Sequence, residues 1–286
     1  MVTISGDMTE VADAIGCLED LTSATFDFST VGEEADSTLS LLGDALAKQR
    51  LGSLSIHPRM TSLLEAVVVR AKVLNVSSGL TLSCDGVPES LIAPCFSIVE
   101  KSKTLDVLSL EGHHELQTKE SMEAVAQMIR HNTSLVRVRL VINSEMNLSS
   151  IARALCCNTT LRQLKCWTSN HSTPVDYSDL ETFLKVMQYH NFTLTTLQAK
   201  PLNWIWKKSS KEAKQVVGLV DELNFYCDLN HYRNKDGVSF RKILLGEDAN
   251  TEDLVAAVAG KRPALSTVFY FLQLKPSLWI PRIANS

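Results

Sequence analysis

The sequence predicts an α/β solenoid of about seven strand-helix units, with a parallel concave sheet and a helical cap at the C-terminal end. Three observations predict it. One short phrase returns four times between Ser102 and Lys200, a helix-period apolar segment precedes each return, and the phrase stops after Ala199. The copies begin Ser102-Lys103-Thr104-Leu105, Asn132-Thr133-Ser134-Leu135, Asn158-Thr159-Thr160-Leu161 and Asn191-Phe192-Thr193-Leu194. Each continues with an alternating pair, Leu108 and Leu110, Val138 and Leu140, Leu164 and Cys166, or Leu197 and Ala199. The leading leucines are 30, 26 and 33 residues apart.

Alternation of apolar and polar residues at period two makes a short strand buried on one face. The preceding segments carry stripes at helical period: Met122, Val125, Ala126 and Ile129; Ile151, Ala152 and Leu155; Leu180, Phe183, Leu184 and Met187. One strand with one helix cannot bury its own apolar face, so successive units must stack, strands on one side and helices on the other. Through these residues, over roughly residues 9 to 200, the chain resembles the ribonuclease-inhibitor type of leucine-rich repeat, which implies a horseshoe of alternating strands and helices.

In order along the chain, helical stripes are expected at Val11, Ala14, Ile15 and Leu18, at Leu39, Leu42, Ala45 and Leu46, and at Leu63, Leu64, Val67, Val68 and Ala71. Leu54 and Ile56 take the places of Leu108 and Leu110. Stepping 28 residues back gives Phe26 and Phe28. Stepping 28 forward gives Leu82 and Cys84, with Leu80 and Leu82 as the alternative pairing. Strands then start near residues 25, 53, 81, 107, 137, 163 and 196, at a mean step of 28.5 from Phe26 to Leu197. Pro94 is expected to shorten its helix, which would restart at Cys95 and run to Glu100. Pro174 marks residues 170–177 as a loop.

After Ala199 comes Pro201 with Trp204 and Trp206, expected to pack the last repeat against the cap. A helix starting at Ser210 carries the stripe Val216, Val217, Val220, Leu223 and Cys227; further helices are expected at Thr251 to Ala259 and Ala264 to Leu274. The expected division is a solenoid over 1–200 and a cap over 201–286, because the last repeat would otherwise expose its core. Leu223 to Asn230, with Leu265 to Trp279 some forty residues later, resembles the closing segment of a large family of leucine-rich-repeat proteins of diatoms and related algae. Where that family commonly continues with a basic Gly-Arg element, this chain reads His231-Tyr232-Arg233-Asn234. The resemblance implies fold and cap but no common activity.

With 286 residues, 45% of them hydrophobic, the chain has ample material for a continuous core. No apolar run approaches the roughly 18 residues of a membrane span. The N-terminal residues have neither the basic start nor the apolar core of a secretory signal. The seven cysteines form an odd set without Cys-x-x-Cys spacing, which argues for free thiols in cytosol or nucleus rather than zinc or a disulfide framework. Asn-x-Ser/Thr triplets occur at Asn75, Asn132, Asn147, Asn158, Asn170 and Asn191, three of them inside the repeat phrase, where a structural role is expected. Net charge is -4, but residues 1 to 100 hold 14 acidic and 5 basic side chains, giving -9, and the remainder hold 18 and 23, giving +5.

The side chains between the buried strand positions face the concave surface. They read Thr25, Asp27, Ser29; Ser53, Ser55, His57; Thr81, Ser83, Asp85; Val107, Ser109, Glu111; then Arg137, Arg139, Val141; Gln163, Lys165, Trp167; Thr196, Gln198, Lys200. The first half is small and acidic and the second basic with one aromatic. The candidate partner-binding residues are therefore Arg137, Arg139, Gln163, Lys165, Trp167, Gln198 and Lys200. Arg139 and Lys165 take equivalent places on adjacent strands, an arrangement that an anionic partner would relieve, and Arg and Trp are enriched at interface hot spots.

Other chemistries fit less well. Ser55, His57, Asp27 and Asp85 could meet on the concave face, yet nothing supplies a nucleophile elbow, an oxyanion hole or a pocket. His113-His114-Glu115, and Cys227 with His231, fall short of four metal ligands. Cys156 and Cys157 are expected at a helix end, one of them buried. No Gly-rich phosphate-binding phrase is present, so neither metal nor cofactor is expected. Trp204, Trp206, Lys207 and Lys208 give only a weak nucleic-acid signal in an acidic chain. The expected role is a non-enzymatic protein-interaction scaffold. The alternative is a regulator or adaptor, such as a GTPase activator or the receptor arm of a ubiquitin ligase, since such proteins also use this repeat.

Overall fold

In the computed structural model, described over residues 8–17, 21–27, 41, 43–46, 50–56, 64–65, 76–84, 87–111, 118–142, 148–168, 177–200 and 211–231, seven strands form one parallel sheet in chain order. They are β1 (Leu21–Asp27), β2 (Leu51–Ile56), β3 (Val76–Ser83), β4 (Val107–Glu111), β5 (Arg137–Ile142), β6 (Gln163–Thr168) and β7 (Thr196–Lys200). The helices are α1 (Met8–Cys17), α2 (Glu89–Lys101), α3 (Lys119–His131), α4 (Ser149–Leu155), α5 (Tyr177–Tyr189) and α6 (Lys211–His231), with shorter helical stretches at 43–46 and 64–65. From α2 onward each helix packs on the next, and α6 packs on both α5 and β7. Strands stacked in order on one side and helices on the other make this a leucine-rich-repeat-like α/β solenoid. Among the described residues no helix is long and apolar enough to cross a membrane.

The phrase explains the packing. Leu105, Leu108, Leu110, Leu135, Val138, Leu140, Leu161, Leu164 and Leu194 are buried in one continuous core, facing Met122, Val125, Ile129, Ile151, Leu155, Phe183 and Met187 from the helices. Each such side chain contributes about 1.5–3 kcal/mol on leaving water.

The turn from each helix into its strand is closed by a buried amide. Asn158 Oδ1 accepts from the backbone N–H of Thr160 (3.0 Å) and of Leu161 (2.7 Å). Its Nδ2 donates one repeat back, to the carbonyls of Ile129 (2.6 Å) and Asn132 (3.1 Å). Asn132 repeats this, accepting from Ser134 and Leu135 and donating to Val99 and Ser102. So does Asn191, accepting from Thr193 and Leu194 and donating to Leu155 and Asn158. The three side chains form a ladder in which an Asx-turn sets the local chain path and the amide N–H groups tie neighbouring units together. Ser102 heads the ladder, accepting from Leu105 N–H at 3.3 Å but lacking an amide to reach further back.

Two expectations are corrected. In the third strand Leu80 and Leu82, not Leu82 and Cys84, pair with Leu108 and Leu110, because the step from Leu54 is 26 residues rather than 28. A slip of two residues preserves the faces, so Thr81 and Ser83 stay on the open face but each moves by one row, Gly79 takes the place expected for Thr81, and Asp85 lies outside the described residues. Helix α2 runs unbroken through Pro94, which sits exposed on its outer side while Ile92, Cys95, Phe96 and Val99 are buried. Burial of that face outweighs the roughly 3 kcal/mol cost of an interior proline. Of the loop expected at 170–177, residues 170–176 lie outside the described residues and Tyr177 begins α5; the helices expected at Thr251 to Ala259 and Ala264 to Leu274 lie outside them too, as do Pro201, Trp204 and Trp206.

Candidate functional site

The sheet's open face, turned away from the helices, is where side chains are presented rather than packed. Its register places Ser55, Thr81, Ser109, Arg139, Lys165 and Gln198 in one row across six strands. A second row runs Ser53, Gly79, Val107, Arg137, Gln163, Thr196, and a third contains Ser83, Glu111, Val141, Trp167 and Lys200. The alternation of buried Leu108, Val138 and Leu164 with these positions holds them in place. The predicted site residues thus come together on three adjacent strands, β5 to β7.

Arg137, Arg139 and Gln198 are exposed; Gln163 and Lys165 are half-buried between them. Trp167 and Lys200 are placed here by backbone register alone. Arg139 and Lys165 are direct neighbours on β5 and β6, so two cationic side chains rise from backbones one strand spacing apart, about 4.8 Å. Arg137 faces Asp106 at 3.9 Å, a solvated pair worth at most about 1 kcal/mol. On the other half of the face, Ser53, Ser55, Thr81 and Ser109 form a small, uncharged floor.

The other predicted groupings fare differently. Asp27 and Ser55 are register neighbours, while His57 and Asp85, needed for a catalytic arrangement, lie outside the described residues. So do His113, His114, Glu115, Lys207 and Lys208. Cys227 is buried in α6, whose last residue is His231. Among the described residues no three His, Cys, Asp or Glu side chains cluster as metal ligands.

None of the seven cysteines is disulfide-bonded. Burial pushes the Cys95 and Cys166 thiols up to about 12, so neither is a nucleophile near neutral pH. Cys156 and Cys157 do mark the end of α4, but neither is fully buried: Cys156 is half-buried and Cys157 exposed. Burial raises the Cys156 thiol, and the neighbouring Cys157 adds to the effect.

Two buried polar residues escaped the sequence reading. Asp179, on α5, accepts from the N–H groups of Leu148 (2.9 Å) and Ser149 (3.0 Å) and from the Ser149 hydroxyl, capping α4 from the following repeat. Its negative charge suits the positive end of that helix. Asn230, on α6, donates to the carbonyls of Leu194 (2.8 Å) and Asn191 (3.4 Å). In the ladder the carbonyl equivalent to that of Leu194 is Leu105's, which the next repeat's Ser134 hydroxyl takes at 2.9 Å. Asn230 therefore occupies acceptors that a further repeat would have used.

No family model matches the sequence, and no curated protein matches it. Among solved structures, similarity is found to one titled "Leiomodin-1 Actin-Binding Site 2 (ABS2)", with 14% identity and TM-score 0.35 over 50% of this chain and 79% of that one. The tropomodulin C-terminal domain of Caenorhabditis elegans matches with 12% identity and TM-score 0.39, over 60% of this chain and 99% of that domain.

Proposed function

We propose that the chain is a non-enzymatic protein-protein interaction scaffold of the ribonuclease-inhibitor-like leucine-rich-repeat type. Residues 1–200 form its solenoid and 201–286 its helical cap. It binds an anionic partner on the concave face of the sheet, through Arg137, Arg139, Gln163, Lys165, Trp167, Gln198 and Lys200. The observation that carries this reading is the in-register placement of Arg139 beside Lys165 on the face turned away from the helices. Arg139 and Lys165 put two cationic side chains side by side on adjacent strands. A carboxylate-bearing surface laid across both strands would meet both of them.

The cap assignment draws its support from Asn230. A solenoid end must cover its last core and satisfy its last carbonyls, and α6 brings Leu223, Phe225, Tyr226 and Cys227 to the first task and Asn230 to the second. The proposed setting is cytosol or nucleus, where seven thiols stay reduced.

The test is affinity capture from the source cell with the wild-type chain and the double variant Arg139→Glu/Lys165→Glu. The proposal expects one prominent partner that is lost in the variant, and wild-type binding that weakens as salt rises, since exposed charges are screened beyond about 8 Å at physiological ionic strength. Capture that survives both reversals and ignores salt refutes the assigned site.

A further inference from the structure

Three of the six Asn-x-Ser/Thr triplets carry the ladder, and their asparagines are among the most enclosed polar groups of the described residues: Asn132, Asn158 and Asn191 are 2%, 5% and 1% exposed. Glycosylation joins the sugar to Nδ2, the atom that donates to at least two carbonyls of the preceding repeat in all three cases. A glycosylated amide keeps one N–H where the ladder uses two, and carries a bulky, solvated group into a space with no opening. The loss is threefold in any affected repeat. Carbonyls of the previous unit lose their donor, the Asx-turn is forced open, and the buried leucine next in the phrase cannot seat.

Timing makes the conflict one-sided. Asparagine-linked glycosylation acts on extended chain as it emerges, before distant repeats can stack, so the acceptor asparagines would be met in the unfolded state. We propose that glycosylation and folding are mutually exclusive for this chain. Passage through a glycosylating compartment would modify Asn132, Asn158 or Asn191 and leave a chain unable to close its repeats, so the protein reaches its fold only where that modification does not occur. This exclusion is a property of the ladder and is independent of the concave site.

The ladder's geometry also supplies the substitutions that test it. The hydroxyls of Thr160 and Thr193 approach their own asparagines only at 3.5 Å, so Thr160→Val and Thr193→Val abolish two triplets at little structural cost. Ser134→Ala abolishes the third but also removes its bonds to the Ser102 and Leu105 carbonyls. The full chain, placed behind a cleavable secretory signal in glycosylating eukaryotic cells, is followed by glycan mapping and by the folded, secreted fraction. Wild type is expected to carry sugar at one or more of the three ladder asparagines and to be retained as aggregate. The triple variant, or the Thr160→Val/Thr193→Val pair if the triple variant fails to melt cooperatively when made in bacterial cytosol, is expected to recover secretion. Three results overturn the proposal: secreted protein with sugar on Asn158 or Asn191 and an unaltered melting temperature, wild type secreted folded and unmodified at the ladder, or retention undiminished in the variants.

Discussion

Residues 102–200 and residues 21–83 contribute strands to one parallel sheet but differ in sequence just ahead of those strands. In the later half the position three residues before the leading leucine holds Asn132, Asn158 and Asn191, each spending its amide on both its own turn and the previous repeat. The positions three residues before Leu21, Leu51 and Val76 hold Leu18, Lys48 and Val73, residue types without an amide, which lie outside the described residues. Single hydroxyl bridges stand nearest in role, Ser77 to the Leu51 carbonyl at 3.2 Å and Thr104 to that of Val76 at 3.0 Å. The sheet reflects the difference. Register is continuous from β3 to β7, whereas it shifts between Leu21 and Thr25 and again between Leu51 and Ser53. A turn held by four hydrogen bonds from one side chain delivers its strand at a fixed height.

Removing a rung should hurt most. Asn158→Ala withdraws partners from two carbonyls and two N–H groups in a buried turn and is expected to cost about 3–4 kcal/mol, read from urea unfolding. A cost no greater than that of an ordinary surface change would mean that the ladder accompanies the register without setting it.

Asp179→Ala comes next. It uncaps α4 and leaves the Leu148 and Ser149 N–H groups without their carboxylate, for an expected loss of about 2–3 kcal/mol by the same measurement. The smallest effect is expected at the boundary between the two halves. Ser102→Ala removes the hydroxyl that receives the Leu105 N–H, worth about 1 kcal/mol, and a loss equal to that of Asn158→Ala would erase the distinction drawn between ladder and hydroxyl.

Much of this arrangement can be read from the residues. The leucines of the phrase sit at period two and the stripes before them at helical period, which is why Val138, Leu140, Leu164, Met122, Ile129 and Leu155 are buried as expected. The parity of the open-face row could be read on the same ground, and with it the neighbourhood of Arg139 and Lys165. The third strand's register could not, because a repeat of variable length defeats extrapolation by a constant step. The second task of the asparagines was hidden too: their acceptors are backbone carbonyls 26 to 36 residues earlier, which no side-chain pattern marks. Asp179 meets its helix end 30 residues back and leaves no local signature. Pro94 misled because a proline's local penalty is visible in sequence while the burial that outweighs it is not.

The phrase divides its labour: buried polar residues hold the fold, and the side chains between the buried strand positions are presented on the open face, where the proposed partner would bind. Thermal melts of Asn158→Ala and of Arg139→Glu/Lys165→Glu, run beside wild type, test it directly. Asn158→Ala is expected to melt roughly 10 °C lower and the charge reversal to melt with wild type, because Arg139 is exposed and Lys165 lies beside it on the open face. A double reversal that melts as low as Asn158→Ala would contradict it, since those side chains would then belong to the packed structure and not to a binding surface.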